Sequence, residues 1–342
     1  MKVFDFDFDS GLLKRFLDFP RGHYASDSNW IPDPAEPRLL AKSGSSTTTW
    51  RNFLVMDKDE ILGRVTALIN PNLCDEDNRP YAQLGFFECV DDLRVAQLLV
   101  EKAAVWARSN LPNGAFILAP MNFDTWHSYR LRTKGFSEPT IFMEPYNPPY
   151  YPTLMTALGF NPTSRYVTKT VNDLQPLLKA WAAHHDHAFS QGYRVRSFNL
   201  GEPAAEMSLI YRLARETFRD NLFYTDIPEV EFRALYASAA GGLDPDLFLF
   251  ILDPQGEPAG LCFSIADHRQ PNTVNVKTFG ILPHVRSEGV GAALAYEVYR
   301  RFQAKGFLRV NHCLVRAGNR ADKFDGGLGE ITREYTLYAR SL

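Results

Sequence analysis

The sequence has no run of about 18 apolar residues, so it predicts no transmembrane helix and no membrane partner. Its first residues alternate apolar and acidic side chains, whereas a signal peptide needs a continuous apolar block after a positive region, so we expect none. The four cysteines include no C-x-x-C pair, which predicts neither a thiolate metal site nor a redox pair. Free thiols fit a reducing compartment, and we expect a cytoplasmic protein. With a formal net charge of −3, the chain lacks the strongly basic composition of a general nucleic-acid-binding domain.

The composition that is present is globular, with 45% hydrophobic and 23% charged residues. At roughly 150 residues per domain, a chain of 342 residues predicts two domains. Strand-like and helix-like patterns follow each other in a similar order in both halves. We predict α/β domains at residues 1–171 and 193–342, joined by a linker helix at 172–192. Each domain is expected to be a mixed, mostly antiparallel sheet flanked by helices.

Three histidines and an aspartate stand together in the linker helix, at residues 184–187. Neighbouring side chains on a helix point about 100° apart, so four consecutive ligands cannot converge on one ion. The run also lacks the i, i+4 histidine pair that a helical zinc site uses. We therefore predict a solvated surface run and no metal.

The most informative segment is 277–294, where a strand pattern leads into the loop R-x-x-G-x-G, from Arg286 to Gly291, and then into an apolar-periodic helix. Glycines allow a positive φ and let a ligand approach the backbone closely. Backbone N–H groups and the positive dipole at a helix start form an anion site, and Arg286 adds a charge that can fork onto phosphate. The segment predicts pyrophosphate binding, with a ligand-free turn between strand and helix as the alternative. It is neither a dinucleotide loop, G-x-G-x-x-G, nor an NTPase loop, which needs G-K-[ST].

In this context the segment resembles the GCN5-related N-acetyltransferase (GNAT) superfamily, whose hallmark R/Q-x-x-G-x-G/A lies between a central strand and a helix. The resemblance implies that Arg286 and the loop amides hold the pyrophosphate of acetyl-CoA or another acyl-CoA, while the preceding strand end pairs with the pantetheine arm. The loop amides are those of Ser287, Glu288, Gly289, Val290, Gly291 and Ala292, and the strand end is Gly280, Ile281 and Leu282. The following strand would splay away and leave a wedge for the thioester. Asn319 matches an asparagine that commonly follows that strand.

The first half resembles a second, degenerate copy of the same domain. The segment Phe86-Phe87-Glu88-Cys89-Val90-Asp91-Asp92 stands where the phosphate loop is expected. It has no glycine, and its carboxylates would repel a pyrophosphate by Coulomb forces. We therefore predict that the first domain does not bind CoA at this position. The whole chain resembles tandem GNAT-like proteins.

The sequence lacks the tyrosine that often serves as the proton donor in the family. N-acylation by a thioester needs a proton for the leaving thiolate. A tyrosine several residues after the asparagine often supplies it in the family, but Phe324 stands in this region and cannot donate. We name Tyr224, His312 and Tyr335 as candidate catalytic residues, with core packing as the alternative for the last two. Tyr224 and Asp226 lie in the loop that binds the acceptor in the family, or they form a plain polar loop.

These observations favour an acyl-CoA-dependent N-acyltransferase acting on a small-molecule amine, with a homodimer as one option. Two alternatives stay open. Eight basic and three acidic residues at 286–323 fit either a CoA 3′-phosphate or the tRNA of an aminoacyl-tRNA-dependent transferase with a GNAT-like fold. The missing tyrosine fits a non-catalytic acyl-CoA-binding protein.

Overall fold

A computed structural model describes residues 1–7, 11–32, 48–111, 113–114, 116–236, 243–286, 289–323 and 325–342. The chain divides into two compact units, each of which contains a sheet and helices. Unit 1 consists of Met1–Arg165, Leu222–Thr225 and Glu334–Leu342, and unit 2 of Tyr166–Asn221 and Asp226–Arg333. Both confirm the predicted fold class, a mixed and mostly antiparallel α/β arrangement.

The sheet of unit 1 is antiparallel apart from one parallel pair among its described strands. Its strands are β1 (Lys2–Phe6), β2 (Thr49–Asp57), β3 (Glu60–Cys74), β4 (Pro80–Cys89), β5 (Phe116–Ala119) and β6 (Leu131–Lys134). Hydrogen bonding follows the order β1-β2-β3-β4-β5, and β4 and β5 are the parallel pair. The helices are α1 (Leu12–His23), α2 (Leu93–Asn110) and α3 (Tyr151–Ala157).

Both faces of this sheet are covered, which explains the continuous apolar runs of β2 and β3. Helix α2 buries an apolar stripe at helical spacing against one face. The stripe consists of Val95, Ala96, Leu99, Val100, Ala103, Ala104 and Ala107. A smaller cluster, which includes Phe16 of α1, packs with Leu54, Met56 and Phe86 of the strands. Because helices cover both faces, these strands lack the alternation of apolar and polar residues that a half-exposed strand shows.

Unit 2 has a sheet of the same kind. Its strands are β7 (Asn161–Val171, of which the residues from Tyr166 belong here), β8 (Arg194–Ser197), β9 (Phe248–Leu252), β10 (Pro258–Ala266), β11 (Thr273–Ile281) and β12 (Arg309–Arg316). The order is β7-β12-β11-β10-β9-β8, and β11 and β12 are parallel. The helices are α4 (Gln175–Ser190), α5 (Pro203–Phe218), α6 (Glu229–Tyr236) and α7 (Val290–Ala304). No helix in the described part of the chain is long and apolar enough to cross a membrane.

The last strand, β13 (Glu330–Ser341), contributes its second part to unit 1. Tyr338 pairs with Ala119 of β5, and Thr336 pairs with Leu131 of β6, in both cases antiparallel. The pairing of β13 with β5 and β6 joins strands far apart in the sequence, so the local pattern of either strand does not reveal it. The predicted domain boundaries at residues 171 and 193 stay a prediction.

The C-terminal strand should therefore stabilise unit 1. Leu337 lies on this part of β13 and is fully buried, whereas Leu308 is 64% exposed. We expect Leu337→Ala to lower the free energy of unfolding by about 2–5 kcal/mol, because it leaves a cavity. Leu308→Ala should change it by no more than about 0.5 kcal/mol. Urea denaturation measures both values, and equal losses for the two variants would contradict the assignment.

Candidate functional site

The loop before α7 presents an uncapped helix start. Gly289 is the N-cap residue and adopts a left-handed conformation, with φ of 74°. It makes no side-chain cap, and the first turn of α7 holds no acidic residue. Its backbone N–H groups therefore have no side-chain acceptor among the described residues, and a helix start in this state attracts anions. The predicted residues Ser287 and Glu288 lie outside the described part of the chain.

Gly291 of the predicted loop lies in the first turn of α7 and has space around it. A Cβ at this position would lie 3.5 Å from the Ile281 side chain and 3.9 Å from that of Phe279, which are ordinary contacts. Packing within the protein therefore does not require a glycine at Gly291. The predicted contact of the backbone at Val290, Gly291 and Ala292 with a ligand stays a prediction.

Arg286 holds the loop to the rest of unit 2. Its Nε donates to the carbonyl of Ile281 at 3.0 Å, and one Nη donates to the carbonyl of Thr217 at the end of α5, also at 3.0 Å. These bonds use two of the five guanidinium donors. The predicted contact between Arg286 and a phosphate stays a prediction, and the structure adds a bracing role that the motif alone did not reveal.

His184 of α4 lies directly beside the loop. A Cβ on Gly289 would stand 3.2 Å from His184 Nδ1, so the imidazole is the immediate neighbour of the N-cap residue. The sequence predicted a solvated run here, and His184, Asp186 and His187 are exposed. The place of His184 beside Gly289 depends on the packing of α4 against α7, which the sequence does not reveal. His185 packs elsewhere, with its Nε2 3.2 Å from Glu297 of α7. No three potential metal ligands come together in the described residues.

Strands β11 and β12 separate after a short parallel ladder. The ladder runs from Thr273 with Arg309 to Val276 with His312. Beyond it β12 continues to pair with β7 after a register shift, and Leu314 there has φ of 53°. Among the described residues, no strand pairs with the β12-facing edge of residues 277–281. The edge includes Gly280 and Ile281, and the splayed geometry is the wedge that the sequence resemblance implied.

Unit 1 also has a parallel strand pair followed by a helix, but the start of that helix is capped by a side chain. Its parallel strands pair only from Ala82 with Ile117 to Gln83 with Leu118. At the start of α2, however, Asp92 caps the helix, and its carboxylate accepts the Arg94 N–H at 2.8 Å. The Glu88 carboxylate accepts the hydroxyl of Tyr151 at 2.7 Å. A protein carboxylate therefore occupies the place where unit 2 leaves its helix start open.

The chain resembles known proteins at low sequence identity. No protein-family model matches the chain. Protein YghO of Escherichia coli K12 is 24% identical over 261 residues, which are 72% of this chain and 63% of that protein. The match thus spans less than two thirds of that relative's length.

Solved structures align over nearly the whole chain. A tandem GNAT protein from the clavulanic acid biosynthesis pathway covers 99% of this chain and 98% of its own, with a TM-score of 0.55 and 11% identity. The chain has a tandem GNAT fold. A GCN5-related N-acetyltransferase from Anabaena variabilis also covers 99% of this chain and 72% of its own, with a TM-score of 0.54 and 9% identity. At these identities the likeness concerns the fold, and it confirms the predicted resemblance at that level.

In the second half of the tandem GNAT fold, His312 is a buried residue of the sheet. Its Nε2 shares a hydrogen bond with the Tyr299 hydroxyl of α7. Burial lowers the pKa of His312 to about 4, opposed by the Asp325 carboxylate and assisted by the Lys169 ammonium. Burial also raises the pKa of Tyr299 well above its usual value. The core-packing alternative fits these contacts, and the role of His312 as a base near the separated strands stays a prediction.

The other two catalytic candidates belong to unit 1. Tyr335 is buried, and its hydroxyl donates to the Glu144 carboxylate. Tyr224 lies in the segment Leu222–Thr225, and its ring centroid is 5.6 Å from that of Trp126. Asp226 of unit 2 accepts a hydrogen bond from Arg215 Nε at 3.0 Å. Catalytic roles for Tyr224, His312 and Tyr335 stay predictions that these contacts do not support.

Asn319 organises the turn after β12. Its Oδ1 accepts the backbone N–H of Ala321 at 2.6 Å and that of Asp322 at 3.3 Å, as in an Asx turn. Asp322 in turn pairs with Lys169 at 2.8 Å. The predicted cofactor contact of Asn319 stays a prediction, while its place beside the end of β12 has a structural reason. Phe324 lies outside the described residues.

Much of the predicted basic surface is neutralised within unit 2. Arg300 pairs with Glu297 at 2.9 Å, and Lys305 pairs with Asp244 at 2.8 Å. Arg301 donates to the Ser197 hydroxyl at 2.6 Å. Asp244 and Ser197 come from distant parts of the sequence, so a count of charges along residues 286–323 does not show these contacts. The tRNA-dependent alternative stays a prediction.

The His312 environment makes stability depend on pH in a defined direction. Because the folded pKa lies below the ordinary value of 6.5, the unfolded chain binds the proton more tightly. Stability should be complete above about pH 6.5 and fall between that value and pH 4, by up to about 3 kcal/mol. His312→Gln should remove this part of the pH dependence, while His268→Gln, at an exposed histidine, should leave it. Denaturation curves across this range measure the effect, and parallel pH profiles for both variants would contradict it.

Proposed function

We propose that the protein is an acyl-CoA-dependent N-acyltransferase whose donor site lies in unit 2 and whose acceptor is a small-molecule amine. The observation that carries the proposal is the free edge of β11, which leads directly to the uncapped start of α7. The free edge of β11 suits the amide-containing pantetheine arm of CoA, and the start of α7 suits its diphosphate. The fold of the neighbouring structures, several of which are described as N-acetyltransferases, supports the same class of reaction.

The residues present fit the donor. The α7 amides from Gly289 onward would hold the diphosphate, because each N–H at a helix start lacks an internal acceptor. Backbone groups on the free edge of β11, between Lys277 and Ile281, would pair with the amides of the pantetheine arm as a neighbouring strand does. CoA supplies the activated acyl group as a thioester. Asp92 blocks the equivalent helix start in unit 1, so we expect one CoA per chain.

The donor site is tested by a matched pair of glycine variants. Gly289 and Gly306 stand at opposite ends of α7 with φ of 74° and 81°, so alanine introduces similar backbone strain at both. Only at Gly289 would the new Cβ enter the loop, 3.2 Å from His184, since nothing lies within 4 Å of a Cβ at Gly306. We expect Gly289→Ala to weaken acetyl-CoA binding at least tenfold and Gly306→Ala to leave it within twofold of the wild type. Titration calorimetry with acetyl-CoA and longer acyl-CoAs measures this.

Three outcomes of the calorimetry count against the proposal. Absence of binding to any acyl-CoA removes the donor site. A stoichiometry of two contradicts the assignment to unit 2 alone. Equal loss of binding in the two variants shows that strain in α7, rather than the loop, is responsible.

We further propose that His184 contributes an N–H donor to the bound diphosphate. It is exposed and touches the N-cap residue, while His187 is exposed on the same helix. His184→Ala should weaken CoA binding at least about tenfold, in line with the loss of one hydrogen bond to a charged group. His187→Ala should not change it. The same calorimetric titration compares the two, and unchanged binding by His184→Ala would remove this residue from the donor site.

The acceptor is tested once the donor binds. Release of free CoA thiol in the presence of a panel of small amines reports transfer, and the product amide is identified by mass spectrometry. If acyl-CoA binds but no amine is acylated, the non-catalytic alternative is favoured. If acyl-CoA does not bind, steeply salt-dependent binding of aminoacyl-tRNA would favour the tRNA-dependent alternative.

A further inference from the structure

Lys277 occupies a bulge in β11 at the mouth of the splayed strands. On the β10 side, Phe263 pairs with Thr278 and Ser264 pairs with Val276, so Lys277 is the extra residue between them. On the β12 side, Val276 is the last residue of the parallel ladder. Bulges of this kind redirect a side chain and are common next to active sites. Lys277 is therefore the first residue at which β11 has an open edge.

The Lys277 ammonium nitrogen is buried, and no hydrogen-bond partner for it exists among the described residues. A buried cation without a partner is costly, because it loses the hydration that stabilises its charge in water. Such a group gains most from a negative charge that arrives with a ligand. No other observation in unit 2 gives this charge a use within the protein itself.

Other proton donors close to these strands are already engaged. The hydroxyl of Tyr299 and the imidazole of His312 are bonded to each other. The thiol of Cys262 on β10 is buried and faces the Ser264 hydroxyl at 3.5 Å, and burial raises its pKa to about 12. Lys277 differs from these groups, because it is a cation at the open edge whose Nζ has no hydrogen-bond partner among the described residues.

The direction of the strand indicates which charge Lys277 meets. In the proposed donor site, the phosphate end of CoA is held at Gly289, and the arm runs back along Leu282 and Gly280. Lys277 lies three residues further, about 10 Å along the strand. The sulfur end of the arm therefore points toward Lys277, where negative charge develops as the thioester breaks.

We propose that the Lys277 ammonium stabilises and protonates the CoA thiolate as it leaves, an inference that rests on the proposed function. The amine nitrogen forms a bond to the acyl carbon, the carbon–sulfur bond breaks, and its electron pair goes to sulfur. Lys277 Nζ gives one proton to that sulfur, yielding the thiol. The nitrogen of the new amide loses one proton, which returns Lys277 to its ammonium form. Lys277 would thereby take the place of the tyrosine that the sequence lacks.

The proposal is tested on the complex with CoA, without knowledge of the acceptor. Ultraviolet absorbance of the thiolate is followed between about pH 6 and 9, the range in which a thiol near a cation ionises. CoA bound to the wild type should ionise at least one pH unit below free CoA. Bound to Lys277→Met, it should ionise near free CoA, while Lys277→Arg should keep most of the shift because it keeps the charge. Lys179→Met, at an exposed lysine of α4, is the matched control and should behave as the wild type.

The result separates this inference from the proposed function. If calorimetry shows CoA binding but the bound thiol ionises as free CoA does in the wild type, the role of Lys277 is overturned while the donor site stands. If CoA does not bind the wild type, the proposed function itself fails. Should Lys277→Met not fold, the wild-type titration with Lys277→Arg still decides, because an unshifted thiol in both contradicts the proposal.

Discussion

A helix start that no side chain of the described residues caps, at the end of a strand with one free edge, is the feature on which the proposed chemistry of this protein depends. The N–H groups that begin α7 are strong donors, and leaving them without acceptors costs free energy unless water or a ligand provides them. Arg286 maintains this geometry by bonding the carbonyls of Ile281 and Thr217. These two bonds hold Arg286 against the end of β11 and the end of α5, next to the helix start at which we propose the diphosphate binds.

The two units of the tandem fold differ at the N-cap residue of the helix that follows β4 in unit 1 and β11 in unit 2. In unit 1, Asp92 supplies the acceptor itself, which stabilises α2 by about 1 kcal/mol and removes the anion site. In unit 2 the corresponding place is Gly289, which offers neither a side-chain acceptor nor steric cover. A single cap residue therefore distinguishes the two helix starts, and the proposed donor site depends on this difference.

The sequence predicts the parts of this account that depend on local pattern. The loop from Arg286 to Gly291, the strand before it and the degenerate segment at 86–92 are each contiguous, so residue type and spacing suffice. Three features could not be predicted this way. The second part of β13 pairs with β5, His184 reaches Gly289 only because α4 packs on α7, and the charge of Lys305 is cancelled by Asp244. Each depends on contacts between residues far apart in the chain, which leave no periodic signal. Lys277 is a fourth case, because a bulge is set by pairing with β10.

The central claim is that one donor site exists and that it lies where α7 begins. Amide hydrogen exchange with and without acetyl-CoA tests this most directly, because it reports each backbone N–H separately. The account predicts that the ligand slows exchange at residues 289–293 and along the end of β11, with no change at the start of α2 near Asp92. Protection at α2, or a complex in which neither helix start is protected, would contradict it.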